Sequence, residues 1–145
     1  FKNIGGVVHT HAEWSTSWAQ AGKPIPPYGT THADYFYGEV PCTRDLSKEE
    51  IEGAYELETG KVIVETFQDI NPDEIPSVLV KGHAPFSWGK TPNDAVHNAV
   101  VLEYLSKIAF RNQLLGNSTP VAQCLLDKHF LRKHGKDAYY GQNKD

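Results

Sequence analysis

Three histidines carry the first chemical suggestion in this sequence. Val7-Val8-His9-Thr10-His11 is an apolar run with two imidazoles spaced i, i+2. In a strand, side chains alternate between faces, so His9 and His11 point one way and Thr10 the other. Neutral imidazole is a common transition-metal ligand, and two on one strand face make half a site. His83 follows a second apolar stretch, residues 77–81, which also reads as a strand. His9, His11 and His83 together match the three-histidine pattern of a catalytic zinc, with a fourth position open for water or substrate. The competing readings are two unrelated histidines at a strand end and a His83 hydrogen-bonded to a loop carbonyl.

Asp34 is the candidate acid or base. It lies in a loop, residues 30–38, that is dense in aromatic and polar side chains without clear periodicity. Desolvation among Tyr35, Phe36 and Tyr37 would raise its pKa toward the general-base range. An Asx-turn or helix cap fits the same spacing. His32 and His97 offer less, His97 because it lies on a long helix. His129 and His134 share a basic helix with Lys128, Arg132 and Lys133, a pattern that reads more readily as a solvated face. Tyr139 and Tyr140 lie near the C-terminus, where a phenol acts as an acid only if something holds it.

The elements that must position these groups follow from pattern. Residues 5–11 read as a turn into a buried strand, and residues 12–21 as a helix stopped by Gly22. Three prolines make 23–29 a loop. Residues 39–43 suit a short strand. Ser47 and Glu50 form a capping box for a helix over 48–58, with Gly60 as its stop. The β-branched, alternating run 61–67 predicts a strand, and 71–76 a polar turn. Thr91 caps a long helix with Pro92 in its first turn. Its apolar face takes in Val96, Ala99, Val100, Leu102, Leu105, Ile108 and Ala109, and Gly116 ends it. A last helix starts at Thr119 and ends at Gly135.

The chain has 145 residues, 39% hydrophobic and 22% charged, with a net charge of −4, which suits one globular domain over 1–145 and no nucleic-acid surface. No apolar run approaches the roughly 20 residues that span a bilayer, so no membrane partner is expected. No secretory signal is visible, and Cys42 and Cys124 make no disulfide framework, which fits a reducing cytoplasm. The absence of Met and the immediate apolar strand suggest a chain opened inside a domain.

His9-Thr10-His11, residues 30–36, Pro41-Cys42-Thr43-Arg44, residues 83–90 and residues 127–142 closely resemble the L-ribulose-5-phosphate 4-epimerases, a family within the class II aldolase/epimerase superfamily. The resemblance covers essentially the whole chain. It implies an α/β fold in which a central, mostly antiparallel sheet is flanked by helices. It matches His9, His11 and His83 to the ligands of one Zn²⁺ per subunit, and Asp34 and Tyr140 to an acid/base pair. His129 falls at a further active-site position, and Thr30 and Glu56 near a subunit interface. The implied partners are a sugar phosphate and further copies of the chain in a homotetramer, Tyr140 reaching a neighbour's site.

The implied reaction converts L-ribulose 5-phosphate to D-xylulose 5-phosphate, as in arabinose catabolism. It proceeds by retro-aldol cleavage and re-addition, because the inverted carbinol carbon is not acidic. Family members also carry an N-terminal segment with phosphate-binding loops and a carboxylate near the metal. No Gly-rich phosphate cradle occurs here, so the chain is expected to be the C-terminal portion and to turn over little by itself. A class II sugar-phosphate aldolase and a non-catalytic zinc-binding fragment are the alternatives. A three-histidine zinc site on a β-barrel is disfavoured by the two long helical stretches near the C-terminus.

Overall fold

The computed structural model describes residues 1–116, 119–136 and 138–139. Its sheet has three strands, β1 (Gly6–His9), β2 (Ser77–Leu79) and β3 (Pro85–Gly89), ordered β1-β3-β2 and antiparallel throughout. β3 is the central strand, pairing Gly6 with Gly89 and His9 with Phe86 on one side, and Ser77 with Ser87 on the other. The buried hydroxyls of Ser77 and Ser87 bond to each other at 2.8 Å, so each polar group meets a partner inside the sheet. The expected strand at 39–43 is reduced to two isolated bridges, Ile25 with Val40 and Cys42 with Leu79.

Six helices occur among the described residues, α1 (Glu13–Gln20), α2 (Thr30–Ala33), α3 (Lys48–Glu52), α4 (Tyr55–Thr66), α5 (Pro92–Leu114) and α6 (Gln123–His134), of which α1 and α5 pack on the sheet. The fold is therefore α/β with an antiparallel sheet, as expected. α5 crosses the sheet and also packs on α1. Its start is set by a complete capping box, with Thr91 accepting from the Asp94 amide and Asp94 from the Thr91 amide. β1 lies so close to this start that a Cβ on Gly6 would sit 2.6 Å from Pro92 Cα, which only glycine avoids. Trp18, Ile25, Phe36, Val40, Val78, Leu79, Trp88 and Leu102 form the core between sheet and helices.

The helices correct five expectations. Residues 61–67 are not a strand but the second half of α4. The helix expected over 48–58 breaks at Gly53, which caps α3, and a new helix starts at Tyr55. Tyr55, Thr59, Val62 and Thr66 fall at helical spacing, and Thr59 and Thr66 donate to the carbonyls four residues back. Burial of Thr59 and Val62 outweighs the β-preference of a branched run. Gly60 does not stop the helix. α6 begins at Gln123 instead of Thr119, because the Val121 amide donates to the Pro27 carbonyl and holds that stretch outside the helix. The apolar face of α5 is narrower than expected, since Val96 and Val100 are exposed and Ala95, Leu102, Leu105 and Ala109 carry the packing.

Candidate metal and acid–base site

His9 closes β1, where its backbone pairs with Phe86 and its ring stacks on the Phe86 ring at 4.2 Å between centroids. Its Nδ1–H donates to the Pro85 carbonyl at 3.0 Å. That bond selects the tautomer with a bare Nε2, free to face an electrophile. His11 lies two residues on, beyond the ladder and just before α1. His83 sits in the turn between β2 and β3, where the preceding Gly82 takes φ +72°, a left-handed value that favours glycine. The His83 amide donates to the Val80 carbonyl and closes the turn.

The structure thus brings His9, His11 and His83 together, with ring centroids 4.8 to 5.1 Å apart. One ligand nitrogen from each lies within 4.8 Å of the others. Tetrahedral zinc with bonds near 2.05 Å needs nitrogens about 3.4 Å apart, so the three rings would draw together around a bound ion. Partial burial, reinforced by the neighbouring His9 and His11, holds the His83 pKa below the ordinary imidazole value, which keeps it in the neutral, ligating form. The fit to a divalent ion therefore rests on a three-nitrogen cluster with at least one tautomer fixed by the backbone. Tyr55, which sequence reasoning did not single out, brings its hydroxyl within 3.4 Å of His83 Nδ1 from the first turn of α4.

Asp34 belongs to a second cluster. It caps the C-terminus of the single-turn α2, in place of the loop expected there. α6 supplies its partners: His129 Nδ1 at 2.9 Å, Lys133 Nζ at 3.1 Å and Arg132 Nη2 at 3.3 Å. His129, Arg132 and Lys133 are thus partly buried against Asp34, while Lys128 and His134 stay exposed as expected for a solvated face. His134 Nε2 donates to the Asp34 carbonyl, and a stack of Tyr37, Phe130 and His134 clamps the helix in place. Burial pushes the Asp34 carboxyl up, but His129, Lys133 and Arg132 together pull it down further, leaving it below the usual value. The expected rise is therefore wrong in sign. Phe36 turns into the core and Tyr37 stacks on Phe130, so the aromatics do not isolate the carboxylate.

His129 Nδ1 also lies 2.9 Å from Arg132 Nη2. A proton on that nitrogen is donated to Asp34, whereas a bare nitrogen accepts from Arg132, so one proton decides the partner. His32, two residues before Asp34, is buried and donates Nε2–H to the Gly38 carbonyl at 2.6 Å. Burial drives its pKa to about 4, only partly offset by that bond. His97 faces the Tyr35 ring at 5.6 Å. Thr30 opens α2 and Glu56 lies exposed in the first turn of α4. Tyr140 lies outside the described residues. Tyr139 is exposed, its amide bonded to the Arg132 carbonyl.

The comparisons with known proteins bear on the family and the fold. Residues 1–110 match the model of the Class II Aldolase and Adducin N-terminal domain, and the chain belongs to that family. The chain is 54% identical over 143 residues to the L-ribulose-5-phosphate 4-epimerase UlaF of Salmonella paratyphi C (strain RKS4594), and 53% to that of Salmonella typhi. Each alignment takes in 98% of this chain but 63% of the relative, so the chain spans less than two thirds of those proteins. Among solved structures, an L-fuculose 1-phosphate aldolase superposes with a TM-score of 0.67 over 89% of this chain and 55% of its own, at 16% identity. The L-fuculose 1-phosphate aldolase from Glaciozyma antarctica PI12 gives 0.66 over 91% of this chain and 45% of its own, at 17% identity. At that identity the likeness establishes the class II aldolase fold.

Proposed function

We propose that this chain is the metal-binding part of a sugar-phosphate epimerase that interconverts L-ribulose 5-phosphate and D-xylulose 5-phosphate. The observation that carries the reading is the cluster of His9, His11 and His83 in a chain 54% identical to proteins of that name. In this reading the three histidines hold one divalent ion, Zn²⁺ by the chemistry of the donor set. When bound, the ion supplies Lewis-acid stabilisation of the negative charge that develops on carbon–carbon cleavage.

The protein's own groups then do three things. His9, fixed by Pro85, and His83, kept neutral by its surroundings, present preset lone pairs. Asp34 is ionised at neutral pH and accepts a proton from a substrate hydroxyl, with His129 able to share that proton. Tyr140 is the donor–acceptor for the opposite face of the re-adding carbonyl. Each face of that carbonyl needs its own proton partner if the centre is to invert. The assembly is a homotetramer in the cytoplasm, with Thr30 and Glu56 near an interface.

The test is Asp34→Asn in the complete enzyme. Epimerisation falls by about 10²–10⁴-fold with zinc content unchanged, because the amide keeps the shape but removes basicity. Unchanged rates remove Asp34 from the chemistry. Aldehyde release without re-addition assigns the protein to the aldolases instead.

A further inference from the structure

We infer that Glu103 is a positioning residue for the metal centre, holding His11 in place by capping α1 from a different helix. The inference rests on the metal reading of the three histidines. His9 is secured by the β-ladder and by the Pro85 carbonyl, and His83 by a closed turn. His11 has neither. It lies past the last paired residue of β1, and no hydrogen bond to its ring occurs among the described residues. What fixes its backbone is the helix that starts two residues later.

That helix lacks a cap of its own. Its N-cap residue is Ala12, which offers no side-chain acceptor. The exposed amides at the start of a helix need one. Glu103, midway along α5, supplies it. One carboxylate oxygen accepts from the Trp14 amide at 2.8 Å, and the other from the Ser15 amide at 2.9 Å and the Ser15 hydroxyl at 2.6 Å. A charged acceptor at a helix N-terminus gains from the helix dipole as well as from the bonds. Three bonds to one rigid helix set the direction from which the chain leaves His11. One turn further along, Trp18 Nε1 donates to the Ser106 carbonyl at 3.0 Å and ties the body of α1 to the same helix. α5 also packs on β1, so it braces the chain on both sides of His11.

The experiment compares the wild-type chain with Glu103→Gln and Trp18→Phe. Gln is the same size but turns an NH₂ toward one of the two amides. Trp18→Phe removes the other tie between α1 and α5 without touching the helix start. Zinc affinity is read by competition with a chromophoric chelator, alongside melting temperature and amide hydrogen exchange of the metal-free chains. Glu103→Gln is expected to weaken zinc about tenfold or more, the usual cost of losing support behind a ligand. Its exchange should quicken at Thr10, His11, Trp14 and Ser15. Trp18→Phe should lower the melting temperature yet keep zinc affinity within about twofold of wild type. Equal zinc affinity in wild type and Glu103→Gln overturns the inference. So does faster exchange confined to Trp14 and Ser15, which marks a cap with no hold on His11. Failure of the wild-type chain to bind zinc refutes the metal reading instead, and exchange at Thr10 and His11 still decides what Glu103 holds.

Discussion

Burial of His32 makes the stability of this fold fall as pH drops from about 6.5 to about 4, while Glu39, its carboxyl pushed up by burial, acts in the opposite sense. The residue is 3% exposed, and its pKa falls from 6.5 to about 4. In the unfolded chain His32 binds a proton below about 6.5, and in the folded chain only below about 4. The folded-state value is the depressed one. Stability is therefore full above about pH 6.5 and is lost as pH falls through the window down to about 4. At about 1.4 kcal/mol per pKa unit the limiting loss is about 3 kcal/mol, of which about 2 kcal/mol has gone by pH 5. Glu50, with a pKa of about 2, contributes only below the ordinary Glu value of 4.5. His83 is depressed too and adds to the slope with the same sign. The assay is urea denaturation near pH 7.5 and near pH 5, on the wild-type chain and on His32→Gln, which keeps an N–H donor for Gly38. The variant should lose about 2 kcal/mol less than wild type between the two conditions. Equal losses, or an NMR titration placing His32 near 6.5, would refute the reasoning.

Other outcomes are expected. His83→Asn should abolish stoichiometric zinc binding measured by metal analysis, and in wild type affinity should fall with falling pH, since protons compete for the imidazole nitrogens. Gly82→Ala should cost about 1 kcal/mol in denaturation, since Gly82 takes a left-handed φ with open space around it, and should weaken zinc by turning His83. Lys133→Met should raise the Asp34 pKa, followed by carboxyl NMR, because it removes one of the three α6 groups that hold Asp34 ionised.

The parts of the fold legible in the sequence are those set by local rules. The capping box at Ser47 and the cap at Thr91 start their helices as expected, and His9 sits on a strand as expected, although that strand stops short of His11. What escaped depends on distant partners. β3 was not expected, because Pro85 opens it and Ser87, a buried polar residue, interrupts its apolar pattern; Ser77 makes that burial possible from ten residues away. The second half of α4 read as a strand because a β-branched run carries no local sign of the helical packing made through Thr59 and Val62. The Asp34 pKa was misjudged because its three cationic or histidine partners lie about a hundred residues further on. Glu103 gave no signal at all, since it caps a helix 88 residues before it.

The two clusters are built on different kinds of support, and that difference governs how their variants must be interpreted. His9 and His83 sit on a ladder and in a turn closed by backbone bonds, so their geometry survives the loss of most side chains nearby, and only His11 leans on a side chain, Glu103. Asp34 is held by α6, and α6 packs against α2 rather than against the sheet. Its buried contacts are Leu126 and Phe130, the latter inside the stack of Tyr37, Phe130 and His134. Asp34 is thus at once the proposed proton acceptor and the anion around which three α6 side chains gather. Removing its charge leaves Arg132 and Lys133 partly buried beside a neutral amide, which loosens the helix as well as the chemistry. A slow Asp34→Asn enzyme therefore reports on catalysis only if α6 remains docked. Retention of the Tyr37–Asp127 hydrogen bond, 2.6 Å in the intact chain, is the internal check on that docking. It ties the same two segments through a pair that the substitution does not touch. With that bond kept and zinc bound, the remaining loss of rate belongs to the proton.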